Sequence, residues 1–537
     1  MSSLMKGTAI LTIGLFLSKL LGLVYLFPFY AIVGEENIAL YGYAYVPYTI
    51  MLSVAISGLP LGVAKFVAKY NALGDYKTGV RLMKSGVIVM LLTGFASFIL
   101  LNSLATPIAN MIIADDEQLY SVEQIASVIR WVSYALLVVP LMSLIRGYFQ
   151  GYGHYMPTSI SQLIEQIVRI TALLGGSFIV IVLLKGLPAT AINFAVFAAF
   201  IGALGGLLVL YYYWKKLKPE FQALQVNSIA SHQVSYIEIY KEIFTYSIPI
   251  IFVGIANPLF QLVDMLTFNG AMIAKGVDAK LTDTYFSMLN VLTHKIVIIP
   301  VMLATGLSMA LIPTITKYFT LGQLQTLRST MDKMYQVLLF VTIPAVVGIM
   351  ILAPSLYHVL YEQSESGATV LMHYAPAAIL FAIFSVTASL LQGINYQKWI
   401  IFSLLTGILV KLVLNIPLIK WLEVDGAILA TMLGYAVTCA INIAVIHRTL
   451  QYNAKVAMRR ILLICILTVT MTVVVSIVQF ILQWIAPADS KLLALVYVLV
   501  CAAAGAGVYG YLSLRLGLAQ KLLGERVTKI AKKFGMN

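Results

Sequence analysis

Seven ionisable side chains stand inside long apolar runs of this sequence: Lys19, Arg130, Glu165, Arg169, Asp264, Lys295 and Lys411. A basic residue at the centre of a bilayer costs roughly 3 kcal/mol on insertion scales. Five cations are therefore kept against a penalty, and two acids cannot neutralise them all. Such a set provides a cationic path for an anionic cargo, most readily one bearing phosphate. Polar packing between helices is the competing account, and the excess of cations argues against it for the set as a whole. Arg130 lies near the outer end of its run, where it can snorkel to the surface.

Helical spacing sorts these residues onto faces. Thr8, Thr12, Leu15, Lys19 and Gly22 follow one stripe, with Ser18 beside it and Gly22 leaving space for a head group next to Lys19. Ser403, Gly407, Lys411 and Asn415 recur every four residues. Asn257, Gln261 and Asp264 share a face near Pro258, which can interrupt a helix and free its carbonyls. Glu165 and Arg169 stand at i and i+4, so they form either a self-neutralising pair or a carboxylate beside a cargo-binding arginine. Lys295 precedes Pro300 and is followed by Pro313. No acid–base cluster for catalysis, Walker motif or GxGxxG loop accompanies them, so neither an enzyme nor an ATP-driven pump is expected. The three cysteines, Cys439, Cys465 and Cys501, lie in apolar runs with no metal-site spacing.

The elements that position these residues are membrane helices. Of 537 residues, 61% are hydrophobic and 10% charged, with mean hydropathy +0.94, against about 25% charged in soluble domains. Apolar runs repeatedly reach the roughly 20 residues that cross a bilayer. Hydropathy places spans near 7–33, 41–70, 82–106, 125–149, 157–184, 188–214, 241–269, 284–316, 331–353, 369–393, 398–419, 427–447, 461–483 and 492–514. The expected fold is all-α, with about fourteen transmembrane helices. The first run, from Gly7, is too long for a cleaved signal peptide and reads as a span.

The formal charge of +14 raises the question of nucleic acid, and its placement answers it. With both termini in the cytoplasm, only Lys185, Lys275, Lys280, Lys420 and Lys491 fall in outer loops. Clusters such as Lys65, Lys69, Lys77, Arg81 and Lys84, or Lys215, Lys216 and Lys218, lie inside, as the positive-inside rule requires. Nucleic acid is therefore not an expected partner, whereas membrane lipid is. The outer Asp115-Asp116-Glu117 run reads as a solvated loop, and no metal site is expected. The tail bearing Lys521, Arg526, Lys529, Lys532 and Lys533 reads as an amphipathic helix on anionic lipid.

The sequence also repeats itself. Gly58-Leu59, Lys69-Tyr70, Leu73-Gly74 and Thr78 recur as Gly306-Leu307, Lys317-Tyr318, Leu321-Gly322 and Thr326, 248 residues on. Gln150-Gly151 recurs as Gln392-Gly393, 242 residues on, and each is followed 18 residues after its glycine by a cation, Arg169 or Lys411. Six spans separate the copies, so both enter the membrane in the same direction, as in a parallel repeat. The expected organisation is a six-helix lobe at 1–216, a cytoplasmic linker at 217–240, a second six-helix lobe at 241–450, two further helices at 451–516 and the basic tail at 517–537. Matching lobes serve a transporter that rocks between two open states.

Ser18-Lys19-Leu20-Leu21-Gly22-Leu23 resembles the S-R-x-x-G-F stretch of MurJ-type lipid II flippases, which belong to the multidrug/oligosaccharidyl-lipid/polysaccharide exporter superfamily. His294-Lys295, Pro300 and Leu311-Ile312-Pro313 resemble that family's D-R…P…L-L-P pattern. The branch that includes sporulation-linked members looks closest. The resemblance implies a flippase that moves a polyprenyl-pyrophosphate-linked saccharide, with lipid II as leading cargo, to the outer leaflet of the bacterial cell membrane. Another wall or spore polysaccharide precursor, or drug export coupled to a cation, is the alternative. It implies binding of the cargo by Ser18, Lys19, Gly22, Arg169, Lys295 and Lys411, and alternating access through a cationic central cavity. The last two spans would hold the tail, and cell-wall synthesis machinery is an expected partner. Tyr25 stands where the family is often basic, and the second span carries no arginine. Some members resemble sodium binders, which leaves Asp264, Asn415 and Thr431 as ion-coupling candidates and sodium as the ion. Ile419 stands in place of that set's second carboxylate.

Overall fold

Runs this apolar must satisfy every backbone group internally once in lipid, and only helices do so within one segment. The structure, a computed structural model, describes residues 14, 17–56, 58–115, 118–228, 235–451, 455–485 and 490–523, and among them there is no strand. Thr8, Thr12, Leu15, the Asp116-Glu117 pair and the tail beyond Leu523 lie outside the described residues, as do the side chains of Leu311, Ile312 and Pro313.

The helices are α1 (Leu17–Val33), α2 (Glu35–Ile56), α3 (Leu59–Ala72), α4 (Tyr76–Ile112), α5 (Val122–Gly151), α6 (Tyr155–Leu183) and α7 (Pro188–Val226). The series continues with α8 (Tyr236–Gly254), α9 (Ala256–Lys275) and α10 (Ala279–Ser287). A π-helical segment, Met288–Thr293, leads into α11 (His294–Thr320). Beyond it come α12 (Leu324–Ile351), α13 (Ala353–Leu360), α14 (Glu365–Gly393), α15 (Gln397–Leu422) and α16 (Val424–Leu450). The last three are α17 (Lys455–Ile485), α18 (Lys491–Arg515) and α19 (Leu518–Leu523).

Twelve helices among the described residues are long and apolar enough to cross a membrane. The other two expected spans correspond to α1, described from Leu17, and to α8 with α9. Those two are separated at Ile255. The break precedes Pro258 because proline sits in the first turn of α9, where its missing N–H leaves no bond unmade. The helix α7 runs on through Lys215, Lys216 and Lys218 to Val226, so the first part of the stretch read as linker is helical.

Local chemistry sets the helix ends. The Asp75 carboxylate accepts from Thr78 N at 3.1 Å to start α4, and Ser121 with Gln124 forms a capping box on α5. The repeat reappears here as matched turns. Asp75 N donates to Tyr70 O across Gly74 (φ 73°), and Gln323 N donates to Tyr318 O across Gly322 (φ 66°), both at 2.9 Å. His154 N donates to Phe149 O across Gly153 (φ 78°), and Tyr396 N donates to Leu391 O across Asn395 (φ 63°). These are left-handed turns that glycine and asparagine adopt cheaply.

The chain divides into two compact bodies after Ser287. In the first, α6 and α7 make the most extensive helix pairing; in the second, α15 and α16 do. These pairs occupy equivalent places in the two repeats. The first body also contains a buried carboxylate, Asp283 on α10. It accepts from Tyr43 Oη on α2 (2.6 Å), Asn269 Nδ2 on α9 (3.1 Å), Gln118 Nε2 (3.3 Å) and Leu119 N (3.1 Å). Three helices and a loop are thereby tied to one side chain.

Candidate functional site

Helix α6 carries most of the polar chemistry of the first body. Arg146, near the end of α5, donates to Glu165 Oε2 at 2.8 Å, and its Nε and terminal nitrogen reach Ser161 Oγ at 3.2 and 2.7 Å. Ser161 in turn donates to Gly206 O on α7 at 3.0 Å. Glu165 therefore spends its charge on Arg146 rather than on Arg169 one turn away. The intrahelical pair is displaced because a guanidinium reaching from α5 makes two polar contacts to α6, where a neighbour on the same helix makes one.

Arg169 sits in a nest of tyrosines instead. Its guanidinium donates to Tyr41 Oη at 3.2 Å and lies 5.9 and 5.1 Å from the ring centroids of Tyr25 and Tyr45. The Tyr25 and Tyr41 hydroxyls share a hydrogen bond of 2.7 Å. Aromatic faces attract a cation without cancelling its charge, so the positive charge remains available to an anion. The close approach of α7 fixes the arginine's root. A Cβ at Gly202 would stand 2.7 Å from Arg169 Cβ and 2.8 Å from Glu165 O.

The small residues of α1 face this same helix. Ser18 Oγ donates to Gln162 O at 3.4 Å, and a Cβ on Gly22 would meet Gln166 Oε1 at 3.8 Å. A Cβ on Gly14 would stand 2.8 Å from Ser159 Cβ. Gly14, ahead of α1, and Ser18 on α1 thus pack closely on α6, whereas a side chain at Gly22 would make only an ordinary contact there. Lys19, a step around the helix, is exposed. The Oε1 atoms of Gln162 and Gln166 and Nε of Arg169 are enclosed without a protein hydrogen-bond partner. Such atoms are costly unless water or a ligand meets them.

In the second body, Ser403, Lys411 and Asn415 are all 0% exposed, because their stripe on α15 packs against α16. Lys411 Nζ donates to Thr431 Oγ1 at 2.6 Å, and Thr431 donates to Ala427 O at 2.9 Å. Above them Ser403 donates to Asn442 Oδ1 at 2.7 Å, and Asn442 donates to Thr387 at 3.2 Å. The stripe of Ser403, Lys411 and Asn415 forms a polar seam between α15 and α16. Lys295 on α11 is half-buried, beside His294, whose Nδ1 lies 3.0 Å from Tyr374 Oη. Asp264, 3% exposed, belongs to the first body, and Asn415 and Thr431 to the second. Helices α12, α17 and α18 enclose an apolar groove of about 460 Å³ floored by Phe340, Pro344, Met471, Val475, Cys501 and Gly505.

A family model described as polysaccharide biosynthesis protein matches residues 4–319. The chain is 43% identical over 538 residues to the lipid II flippase MurJ of Bacillus subtilis (strain 168), covering 99% of both. This chain belongs to the polysaccharide biosynthesis protein family. The MurJ-type resemblance read from its short motifs extends over the whole length, and the polysaccharide biosynthesis family member is a multi-pass membrane protein. Among solved structures it resembles lipid II flippase MurJ in an inward closed conformation, at TM-score 0.65 and 16% identity over 95% of this chain and 99% of that one. An inward-facing multidrug resistance MATE family transporter of the MOP superfamily matches at TM-score 0.63 and 15% identity, over 81% of this chain and 94% of that one. The fold is therefore that of the exporter superfamily expected from the sequence.

Sequence reasoning missed Arg146, Gln162, Gln166, Asp283 and the tyrosines at 41 and 45. The two glutamines, four residues apart in an apolar run, were a readable signal. Arg146 stands near the end of the span read at 125–149, where charges are common.

Proposed function

We propose that this protein is a flippase for a polyprenyl-pyrophosphate-linked saccharide, and that the saccharide lipid is lipid II. One observation carries the site reading: Arg169 keeps its charge, because Arg146 takes the nearby carboxylate and tyrosines hold the guanidinium. A charge-assisted contact from that fork suits a pyrophosphate. The 43% identity to the flippase MurJ supports the choice of cargo. Lys19, exposed on α1, and Lys295, half-buried on α11, supply further cations, while the head group passes and the tail stays in lipid. The groove between α12, α17 and α18 suits that tail. Both termini face the cytoplasm in this proposal, and export proceeds by alternating access. The wall-synthesis machinery that consumes lipid II is the expected partner.

Sodium is not the coupling ion in this proposal. What supports this is the Lys411 ammonium at Thr431 Oγ1, which already puts a cation on that hydroxyl, together with Ile419 in place of a second carboxylate. The membrane potential assists instead, because the cargo is anionic and the cytoplasm negative. One charge moved through 100 mV is worth about 2.3 kcal/mol.

The test is complementation. The wild-type chain should restore growth to a bacterium depleted of its own lipid II flippase and lower its inner-leaflet lipid II. Accumulation of the chain in the membrane with no change in lipid II distribution would refute the proposal.

A further inference from the structure

Helices α4, α5 and α7 of the first body enclose a second apolar cavity, of about 600 Å³, bounded by Met83, Ile145, Leu204, Leu208, Tyr211 and Trp214. None of these residues belongs to the set assigned to the cargo. Along α7 the wall is one helical stripe. Leu204, Leu208, Tyr211, Lys215 and Lys218 follow i, i+4, i+7, i+11 and i+14, so an exposed apolar strip passes through an aromatic residue into two lysines. Leu208 and Tyr211 are 68% and 55% exposed. Lys215 Nζ lies 4.8 Å from the Tyr211 ring centroid, which holds the ammonium at the mouth of the cavity. On the facing helix α4, exposed Lys84 directly follows Met83. The nearby acid Glu220 is engaged by His154 at 3.2 Å.

We propose that this cavity is a binding site for one anionic phospholipid of the phosphatidylglycerol type. Its acyl chain lies along Leu204, Leu208 and Met83, its glycerol backbone stands at Tyr211 and Trp214, and its phosphate rests on Lys215, Lys218 and Lys84. Basic pockets between membrane helices at the anionic lipid surface recognise head groups in this way. An ordering of apolar, aromatic and cationic residues over four turns of one helix matches the order of the parts of such a lipid. Topogenic lysines alone need neither a cavity beneath them nor that register.

The test uses the purified full-length protein, reading thermal stabilisation and retained lipid by native mass spectrometry on titration with dioleoyl phosphatidylglycerol, dioleoyl phosphatidylcholine or glycerol 3-phosphate. The wild type should bind phosphatidylglycerol in preference to phosphatidylcholine and show no response to glycerol 3-phosphate. Lys215→Gln with Lys218→Gln should weaken phosphatidylglycerol binding by roughly twenty- to thirtyfold, from about 1 kcal/mol per basic residue near the surface. The corresponding Arg pair should retain binding. Leu208→Trp, which fills the cavity and leaves the charges intact, should lose it as well. Equal retention of the two phospholipids, an equal response to glycerol 3-phosphate, or undiminished binding by Leu208→Trp would overturn the proposal. If the double Gln protein fails to fold, the wild-type lipid comparison and Leu208→Trp still decide. None of these readouts involves transport, so the site stands or falls apart from the flippase reading.

Discussion

Arg169 shows how a cation can be held in a membrane helix without being neutralised. The tyrosines supply π faces and one hydroxyl acceptor, and no carboxylate is among its described partners. Replacing it with alanine should slow flipping by roughly ten- to hundredfold, the range of about 1.5–3 kcal/mol for a hydrogen bond to a charged group. The protein should still accumulate, because removing a charge makes the helix easier to insert. Tyr25 lies under the same guanidinium, so Tyr25→Arg in the Arg169→Ala background should return part of the rate. A double variant no better than the single one would show that the position of the charge is not what matters. Lys19 belongs to the same scale: alanine there should abolish complementation, arginine should keep much of it, and glutamate should do at least as much harm as alanine. Normal growth with Lys19→Ala would remove that residue from the cargo path.

At the scale of elements, α6 is a platform for several helices. One face, carrying Gln162, Gln166 and Arg169, meets Ser18, Gly22 and Tyr25 of α1 and Tyr41 of α2, and the neighbouring stripe of Ser161 and Glu165 receives Arg146. Hydropathy reveals that such a helix exists, because lipid demands an unbroken run of apolar residues. The repeat was legible for a related reason: its matched Leu-Gly pairs encode left-handed turns that few other residues tolerate. Periodicity also placed Ser403, Gly407, Lys411 and Asn415 on one face. What that face meets was not legible, since spacing along a helix carries no information about its neighbour. The Arg146–Glu165 pair was hidden for the same reason, its members being 19 residues apart on different helices. Asp283 falls between the spans read at 241–269 and 284–316, and four donors from other segments close on it. Its role is structural, so Asp283→Ala should lower the melting temperature and membrane accumulation. Each donor left buried without a partner costs about 1–3 kcal/mol. Asp283→Asn should do less damage, and full stability of the alanine variant would contradict that role.

For the whole molecule, the membrane cations are held in different ways. Lys19 and Arg169 of the first body and half-buried Lys295 of the second keep their charges available in the proposed path, whereas Lys411 is enclosed in the seam between α15 and α16. In the proposed function the enclosed ammonium occupies the place beside Thr431 that a coupling ion would need. Flipping by the wild type should therefore proceed equally in sodium and potassium buffers. Lys411→Ala vacates the place beside Thr431, and a stimulation by sodium should then appear. Sodium dependence in the wild type would contradict that role of the ammonium.

The most direct measurement is the rate at which lipid II crosses liposomes containing the purified protein, read with an impermeant enzyme or probe that consumes outer-leaflet lipid II. A membrane potential of the cellular sign should be imposed across the vesicles. The wild type should expose the inner pool at a rate well above that of empty liposomes. Arg169→Ala and Lys19→Ala, reconstituted to the same density, should fall toward the empty-liposome rate. Equal exposure in all four preparations would contradict a lipid II flippase that works through these cations.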